Sequence, residues 1–239
     1  MIPQIVLRRG KEESLKRLHP WVFSGAIDHI KAEEESDIRE GALVEVYTRS
    51  GDFIAQGHYQ IGSIAVRVLS FDDSALRPDF WEDMLARALQ VRVSCGLHGS
   101  VDTNCYRLGH GEGDNLPGLI IDYYDGVCVM QAHSVGMFRA KKQISDALQK
   151  VYGDQLKAVY DKSSGTAPYK AGLELIDGYM YRRADFKENE LVVLENGQKF
   201  MVNWTEGQKT GFFLDQRDNR ALVGSVSKGR NVLNLFCYT

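Results

Sequence analysis

The stretch that decides the fold is LIIDYYDGVCVMQAHSVGMFRAKKQISDALQKVYGDQLKAVYD, residues 119–161. Leu119–Tyr123 and Val127–Ala132 are short runs of β-forming residues and predict two strands. From Val135 to Tyr152 the period changes. Met137, Ile144, Leu148 and Val151 recur on one face of an amphipathic helix. Gly153 stands where a left-handed C-terminal cap belongs, and LKAVYD (156–161) predicts a further strand. The order β-β-α-β marks an α/β or α+β unit covering roughly 78–185.

Towards the N-terminus, Arg77-Pro78 opens a second helix. Pro78 suits a first helical turn, and Asp79 and Glu82 suit its positive end. Trp81, Leu85, Ala88 and Leu89 follow at helical spacing, and Gly96 stops the run. Residues 1–73 read as mostly β. ALVEVYT (42–48), FIAQGHY (53–59) and IAVRVLSF (64–71) are punctuated by Gly51, Gly57 and Gly62, with Ser50-Gly51 as a hairpin turn. Regular short strands predict a small barrel. The acidic residues Glu33, Glu34, Glu35 and Asp37 read as a solvated loop.

Towards the C-terminus, LVVLE and KFMVNW flank Asn196-Gly197, a strong hairpin signal. EGQKTGFFLDQRDNR (206–220) leads into a helix through Leu222, and NVLNLF (231–236) predicts a strand after Gly229. No internal repeat or low-complexity tract is visible.

The chain has 239 residues, 44% of them hydrophobic and 26% charged, with a formal net charge of −3. That balance fits an ordinary globular protein and advertises no global attraction to nucleic acid. The start, MIPQIVLRRGKEESLKR, lacks a signal-peptide core, and no run of 18 apolar residues predicts a membrane span. Cys95, Cys105, Cys128 and Cys237 read as reduced thiols, so the expected compartment is the cytoplasm.

Three segments resemble one family. HPWVFSGAI (19–27), after a basic N-terminal strand, is similar to the opening of its PUA domain. YRLGHGEGDNLPGLIIDYY (106–124) is similar to the signature of its central domain. GQKTGFFLDQRDNR (207–220) with VLNLFCYT (232–239) is similar to the entry of its catalytic domain. The family is the PUA-containing class I methyltransferases that methylate carbon 5 of a cytosine in 23S ribosomal RNA. The resemblance covers the whole chain in order, and the third segment is its most specific part. It implies an N-terminal PUA β-barrel (1–73), a central α/β domain (78–185), and the hairpin and first strand of a Rossmann-like methyltransferase domain (190–239).

The implied activity is methyl transfer from S-adenosylmethionine (SAM) to 23S rRNA, with a homodimer also admitted. Family members continue past FCYT into a glycine-containing turn, an acidic-Pro-Pro motif and a catalytic cysteine. By analogy about 150 residues, a domain-sized piece, lie beyond Thr239. The expectation is therefore a chain cut off as its SAM-binding domain begins and inactive alone. Two alternatives stay open: a non-catalytic RNA-binding module, and methylation of another base or RNA.

The resemblance assigns cofactor contacts to Phe213, Asp215, Gln216, Arg217, Arg220, Asn234, Phe236, Tyr238 and Thr239. Gln, Asp and Arg side chains suit an amino acid's ammonium and carboxylate. The plain alternative is an exposed helix start capped by Asp215. Cys237 lies in the first-strand motif, where the family's nucleophile does not, so no catalytic residue is expected here.

Cys95, His98, Cys105 and His110 could be read as zinc ligands, but their spacing matches no common finger, and no metal is expected. Gly111-Glu112-Gly113 precedes a strand, and Asn115-Leu116-Pro117-Gly118 reads as a turn. Arg8, Arg9, Lys11, Lys16 and Arg17 form a basic strip suited to RNA phosphates. Residues 1–73 carry 9 Lys/Arg against 12 Asp/Glu, so any RNA face must be local. Trp21 and Phe23, two residues apart, read as core.

Overall fold

The computed structural model of the protein describes residues 2–32, 38–72, 76–168, 171–233 and 235. The N-terminal sheet contains β1 (Gln4–Leu7), β2 (Trp21–Phe23), β3 (Ile27–Lys31), β4 (Leu43–Tyr47), β5 (Phe53–Tyr59) and β6 (Ile64–Ser70). Its order, β2-β6-β5-β4-β1-β3, leaves β2 and β3 as edges, so the sheet is wrapped without closing a ring. Alternate residues of these strands, among them Ile5, Leu7, Val22, Val44, Val46, Val66 and Val68, meet in one core. Leu15 of the short helix α1 (Glu13–Lys16) joins it. Gly51 has φ +95°, as the turn between β4 and β5 requires. The acidic residues 33–37 lie outside the described residues.

The core reading of Trp21 and Phe23 is corrected. Val22 is the buried residue of β2, and Phe23 is 48% exposed. Strand side chains alternate faces, so turning Val22 inward turns both aromatic neighbours outward together.

The central unit contains α2 (Phe80–Ser94), β7 (Cys105–His110), β8 (Leu119–Tyr124), β9 (Val127–Ala132), α3 (Val135–Tyr152), β10 (Ala158–Asp161) and β11 (Gly178–Arg182). The sheet order is β11-β10-β9-β8-β7. β9 and β10 are parallel because α3 returns the chain between them; the other neighbours are antiparallel. Met84, Leu85 and Ala88 of α2 and Met137, Ile144 and Leu148 of α3 cover one sheet face, over Tyr106, Leu108, Ile121 and Met130. Gly153 has φ +52° and ψ −131°, so it ends α3 with positive φ but not as a left-handed cap. A single 3-10 turn follows directly.

The N-terminus of α3 is finished partly by the other sheet. Ser134 Oγ accepts the Met137 N–H at 3.3 Å, and Gln60, just after β5, accepts the Val135 N–H at 3.2 Å. Helix N-termini leave such N–H groups without internal partners. One residue on, Gly136 lies so close to the His58 ring that a Cβ there would overlap it. His58 also stacks on Trp81, ring centroids 6.3 Å apart.

The opposite face of the central sheet receives a hairpin, β12 (Glu190–Glu195) and β13 (Gln198–Asn203). Asn196 (φ +50°) and Gly197 (φ +76°) form the two-residue turn that their sequence demands. The hairpin docks by its backbone: Asn104 N–H donates to Leu194 O at 3.0 Å, and Leu194 N–H donates to Asn104 Oδ1 at 2.6 Å. Helix α4 (Arg217–Ser227) follows a 3-10 turn and extends past Leu222, and none of its residues is buried. The strand expected at 231–236 is not seen in residues 231–233 and 235; Asn234 and Phe236 lie outside the described residues. A strand needs a neighbour for its N–H and C=O groups, and no described strand offers one there.

Burial lowers the His58 imidazole from its ordinary value to about 4. The unfolded chain therefore takes up a proton near pH 6.5 while the folded chain resists until about pH 4. Stability is expected to fall across that window as pH drops, by at most about 3 kcal/mol from this group. Chemical denaturation at several pH values should show a smaller loss for His58→Phe than for the parent. An equal loss in both would show that His58 does not carry the effect.

Candidate functional site

The hairpin-side face of the central sheet changes character along its strands. At one end Cys105, Tyr124, Val127, Val129 and Ala158 pack under Trp204, Phe212 and Leu214. At the other end Arg107, Ile120, Gln131, His133 and Lys162 line an open cleft. Asp122 sits at the boundary with no solvent exposure. It accepts from Arg107 Nε at 2.8 Å, Arg107 Nη2 at 3.1 Å and Thr210 Oγ1 at 2.6 Å. Thr210 Oγ1 also lies 2.9 Å from the Tyr124 hydroxyl. A buried carboxylate persists only with such compensation.

The cleft has a volume of about 520 Å³. Lys162 Nζ reaches across it to Trp204 O at 2.7 Å and to Gly207 O, holding the 204–207 turn in place. Burial lowers the Lys162 pKa, against the opposing charge of Asp177. Asp177 itself accepts from the Ser164 N–H at 2.8 Å and Ser164 Oγ at 2.9 Å. Lys209 has φ +50°, and its Nζ lies 4.6 Å from the Phe213 ring centroid. His133 is pushed down by burial and then by Arg107.

Sequence reasoning missed this cleft. Its signals were a cation between two apolar neighbours (Arg107 between Tyr106 and Leu108) and a polar residue, Gln131, closing an apolar strand. Neither stands out before strand pairing shows the two on one face.

The segment expected to hold a cofactor follows at once. Asp215 and Gln216 are exposed, and Gln216 Oε1 accepts from Asn219 Nδ2 at 2.8 Å. Asp215 does not cap α4: the cap position is Gln216, without a side-chain bond to the helix. Arg217 Nε has no solvent access and no hydrogen-bond partner among the described residues. Arg220 is committed elsewhere. It binds Glu195 through Nε and Nη2, both at 2.7 Å, donates to Phe213 O at 2.8 Å, and stacks on Phe212 at 4.4 Å. Its guanidinium therefore anchors α4 to the hairpin instead of facing a ligand. Asn234, Phe236, Tyr238 and Thr239, with Cys237, lie outside the described residues.

Residues 5–71 match the model of the PUA-like domain. A protein from Shewanella amazonensis named ribosomal RNA large subunit methyltransferase I is 37% identical over 242 residues, which cover 99% of this chain and 58% of the relative. One of the same name from Erwinia tasmaniensis is 37% identical over 241 residues, covering 100% of this chain and 58% of the relative. The likeness runs through the whole of this chain. It spans about 58% of the length of these relatives. A solved Streptococcus mutans structure described as a SAM-dependent methyltransferase shares the fold, with TM-score 0.75 at 20% identity over 95% of this chain and 55% of that one. A second, described as a methyltransferase complexed with SAH, gives TM-score 0.74 at 20% identity, over 95% and 54%.

Within the PUA-like domain, Arg8, Arg9, Lys11, Lys16 and Arg17 are all exposed. Lys16 is paired with Glu13 at 3.0 Å. On edge strand β2, Trp21 and Phe23 form an outward aromatic group with His19, ring centroids 5.7 to 6.3 Å apart. Trp21 Nε1 donates to Glu112 Oε1 at 2.9 Å, tying this edge to the 3-10 turn after β7. That turn is held by the Arg92–Asp114 pair. Of the four residues considered for zinc, Cys105 Sγ donates to Leu194 O and His98 Nδ1 lies 2.8 Å from the Tyr106 hydroxyl. No metal-ligand group occurs among the described residues.

Breaking the Arg220–Glu195 pair from one side should be costly, because Glu195 is only 2% exposed. Arg220→Met should destabilise the chain by about 3 kcal/mol, and adding Glu195→Leu should restore most of it. Urea unfolding of the two variants measures this. A single variant as stable as the parent would remove the anchoring role.

Proposed function

We propose that the whole protein transfers a methyl group from SAM to 23S ribosomal RNA and forms 5-methylcytosine. The observation that carries this is the 37% identity running through the entire chain to relatives named ribosomal RNA large subunit methyltransferase I. The likeness to solved methyltransferases supports the fold. The choice of cytosine rests on the resemblance of segments 19–27, 106–124 and 207–220. We place the protein in the cytoplasm with its RNA; no described helix is long and apolar enough to cross a membrane. The proposed division is a PUA domain (1–73), a central domain (78–185) and the opening of a methyltransferase domain (190–239).

The residues of 213–217 fit a cofactor of this kind. Arg217 Nε is a buried donor in want of an acceptor, which the carboxylate of SAM would supply. Asp215 and Gln216 would meet its ammonium group, with Phe213 alongside and Arg220 holding the helix in position. SAM supplies the electrophilic methyl.

Methylation at carbon 5 of a pyrimidine needs a thiolate on carbon 6. Burial pushes the Cys105 thiol up to about 12 and raises Cys128 further, so neither offers one. Following the resemblance, in which the nucleophile belongs to a later motif than that of Cys237, we propose that these 239 residues by themselves bind RNA without methylating it. The exposure of α4 favours that second description for the chain taken alone.

Three outcomes are expected. The full-length protein with labelled SAM and unmodified 23S rRNA should yield 5-methylcytosine on nucleoside mass spectrometry; a different methylated base would overturn the cytosine assignment, and no transfer would overturn the enzyme reading. The 239-residue chain should bind SAM at roughly millimolar affinity or weaker, since a few exposed contacts barely offset the cost of association. Calorimetry showing a micromolar Kd abolished by Gln216→Ala would mean that these residues already make a complete pocket. Reversing Arg8, Arg9 and Lys11 to Glu should weaken RNA binding by a similar factor for any RNA sequence, because phosphate contacts carry little sequence information. Unchanged affinity in a salt titration would place the RNA face elsewhere.

A further inference from the structure

We infer that the cleft between Arg107, Lys162 and Lys209 holds one nucleotide of a single-stranded RNA, its phosphate on the three cations and its base or ribose edge on Gln131. This rests on the reading of the protein as RNA-binding and names where a strand enters it.

The charge of the cleft is a matter of placement, since the whole chain is slightly acidic. Three cations line it against one carboxylate, Asp177, which Ser164 already engages. Each cation has donor capacity to spare. Arg107 spends Nε and Nη2 on Asp122, leaving Nη1 without a protein acceptor among the described residues. Lys162 spends two of its three N–H groups on Trp204 O and Gly207 O. Lys209 has no carboxylate partner among the described residues, and a lysine at φ +50° carries backbone strain of about 1 kcal/mol or more. Such strain is characteristic of sites where placement of a side chain matters.

Gln131 adds an independent sign of a ligand. It is 9% exposed, lines the cleft, and its carboxamide has no hydrogen-bond partner among the described residues. The tip of the side chain opens on the cleft, where a bound group with both donors and acceptors would take the place of water. A base edge or a ribose hydroxyl is such a group. Directly across the strand pair from Gln131 is Ile120, an apolar floor for a flat ring. The volume of about 520 Å³ suits a nucleotide.

The surroundings favour a strand over a free nucleotide. His133 lines the cleft at the end of the sheet nearest the turn after β7 that carries Glu112. Glu112 in turn holds Trp21 of the exposed aromatic edge. At the other end Lys209 lies six residues before Asp215, where the proposed cofactor segment begins. A strand threading the cleft would thus run from the PUA-like domain towards the methyl donor.

The test uses the 239-residue chain and a short fluorescein-labelled single-stranded oligoribonucleotide at low salt. Lys209→Glu, at an exposed position, should weaken binding about tenfold. Gln131→Leu should weaken it about fivefold while leaving the melting temperature unchanged or raised, because no protein hydrogen bond is lost. A residue serving only the fold would show the reverse. Acylation of the Lys209 amine, read by mass spectrometry, should be blocked by the oligonucleotide, with Lys142 on α3 unaffected.

Binding that survives both substitutions with Lys209 still reactive overturns the cleft and leaves the RNA reading standing. A parent chain that binds no RNA overturns both. Equal protection of Lys209 by adenosine monophosphate would make this a free-nucleotide site and overturn the strand.

Discussion

Asp122 imposes the constraint on which the hairpin side of this protein depends. Its carboxylate has no access to water, so it stays in the sheet only while Arg107 and Thr210 bond to it. Arg107 belongs to the neighbouring strand, whereas Thr210 comes from 88 residues further along the chain. Satisfying the carboxylate therefore fixes the GQKTGFF segment against the central sheet. The same bond divides the sheet face, with an aromatic core on one side and the polar cleft on the other.

The route into the proposed cofactor segment follows from that anchor. Lys162 secures the turn before Thr210 by binding the carbonyls of Trp204 and Gly207. Gly207 and Gly211 lie so close to the Asn203 carbonyl that a Cβ at either would overlap it or crowd it severely. Beyond Phe212 and Leu214, Arg220 reaches back to Glu195 of the hairpin, and α4 starts in a defined direction with Gln216 and Arg217 at its head. The helix itself rests on little else. Leu222, Val223 and Val226 face solvent, an apolar side suited to the sheet of a methyltransferase domain in the proposed whole protein.

A different set of contacts joins the PUA-like domain to the central unit. Gln60 completes the N-terminus of α3, Gly136 lets the His58 ring approach the helix backbone, and Trp21 binds Glu112. The exposed basic residues of the N-terminal strip and the outward aromatic rings of β2 both belong to the PUA-like domain.

What the sequence determined by itself is local. The period of residues 135–152 is a complete helix, Asn196-Gly197 is a hairpin turn, and three strands of the N-terminal sheet lie within a residue or two of their predicted bounds. Each is set by near neighbours along the chain. The strands at 105–110 and 178–182 were not legible, because mixed runs such as CYRLGH become strands only when paired. The resemblance of 207–220 located a candidate cofactor segment but could not separate its members. Tertiary structure gives Arg220 to Glu195 and leaves Arg217 Nε without a partner among the described residues. It also decided which way β2 faces, since a two-residue period is satisfied by either choice until the core takes Val22. The cleft was beyond any local reading. Arg107, Gln131, Lys162 and Lys209 are spread over about a hundred residues, and only the pairing of β7 to β10 and the bond from Thr210 to Asp122 bring them together.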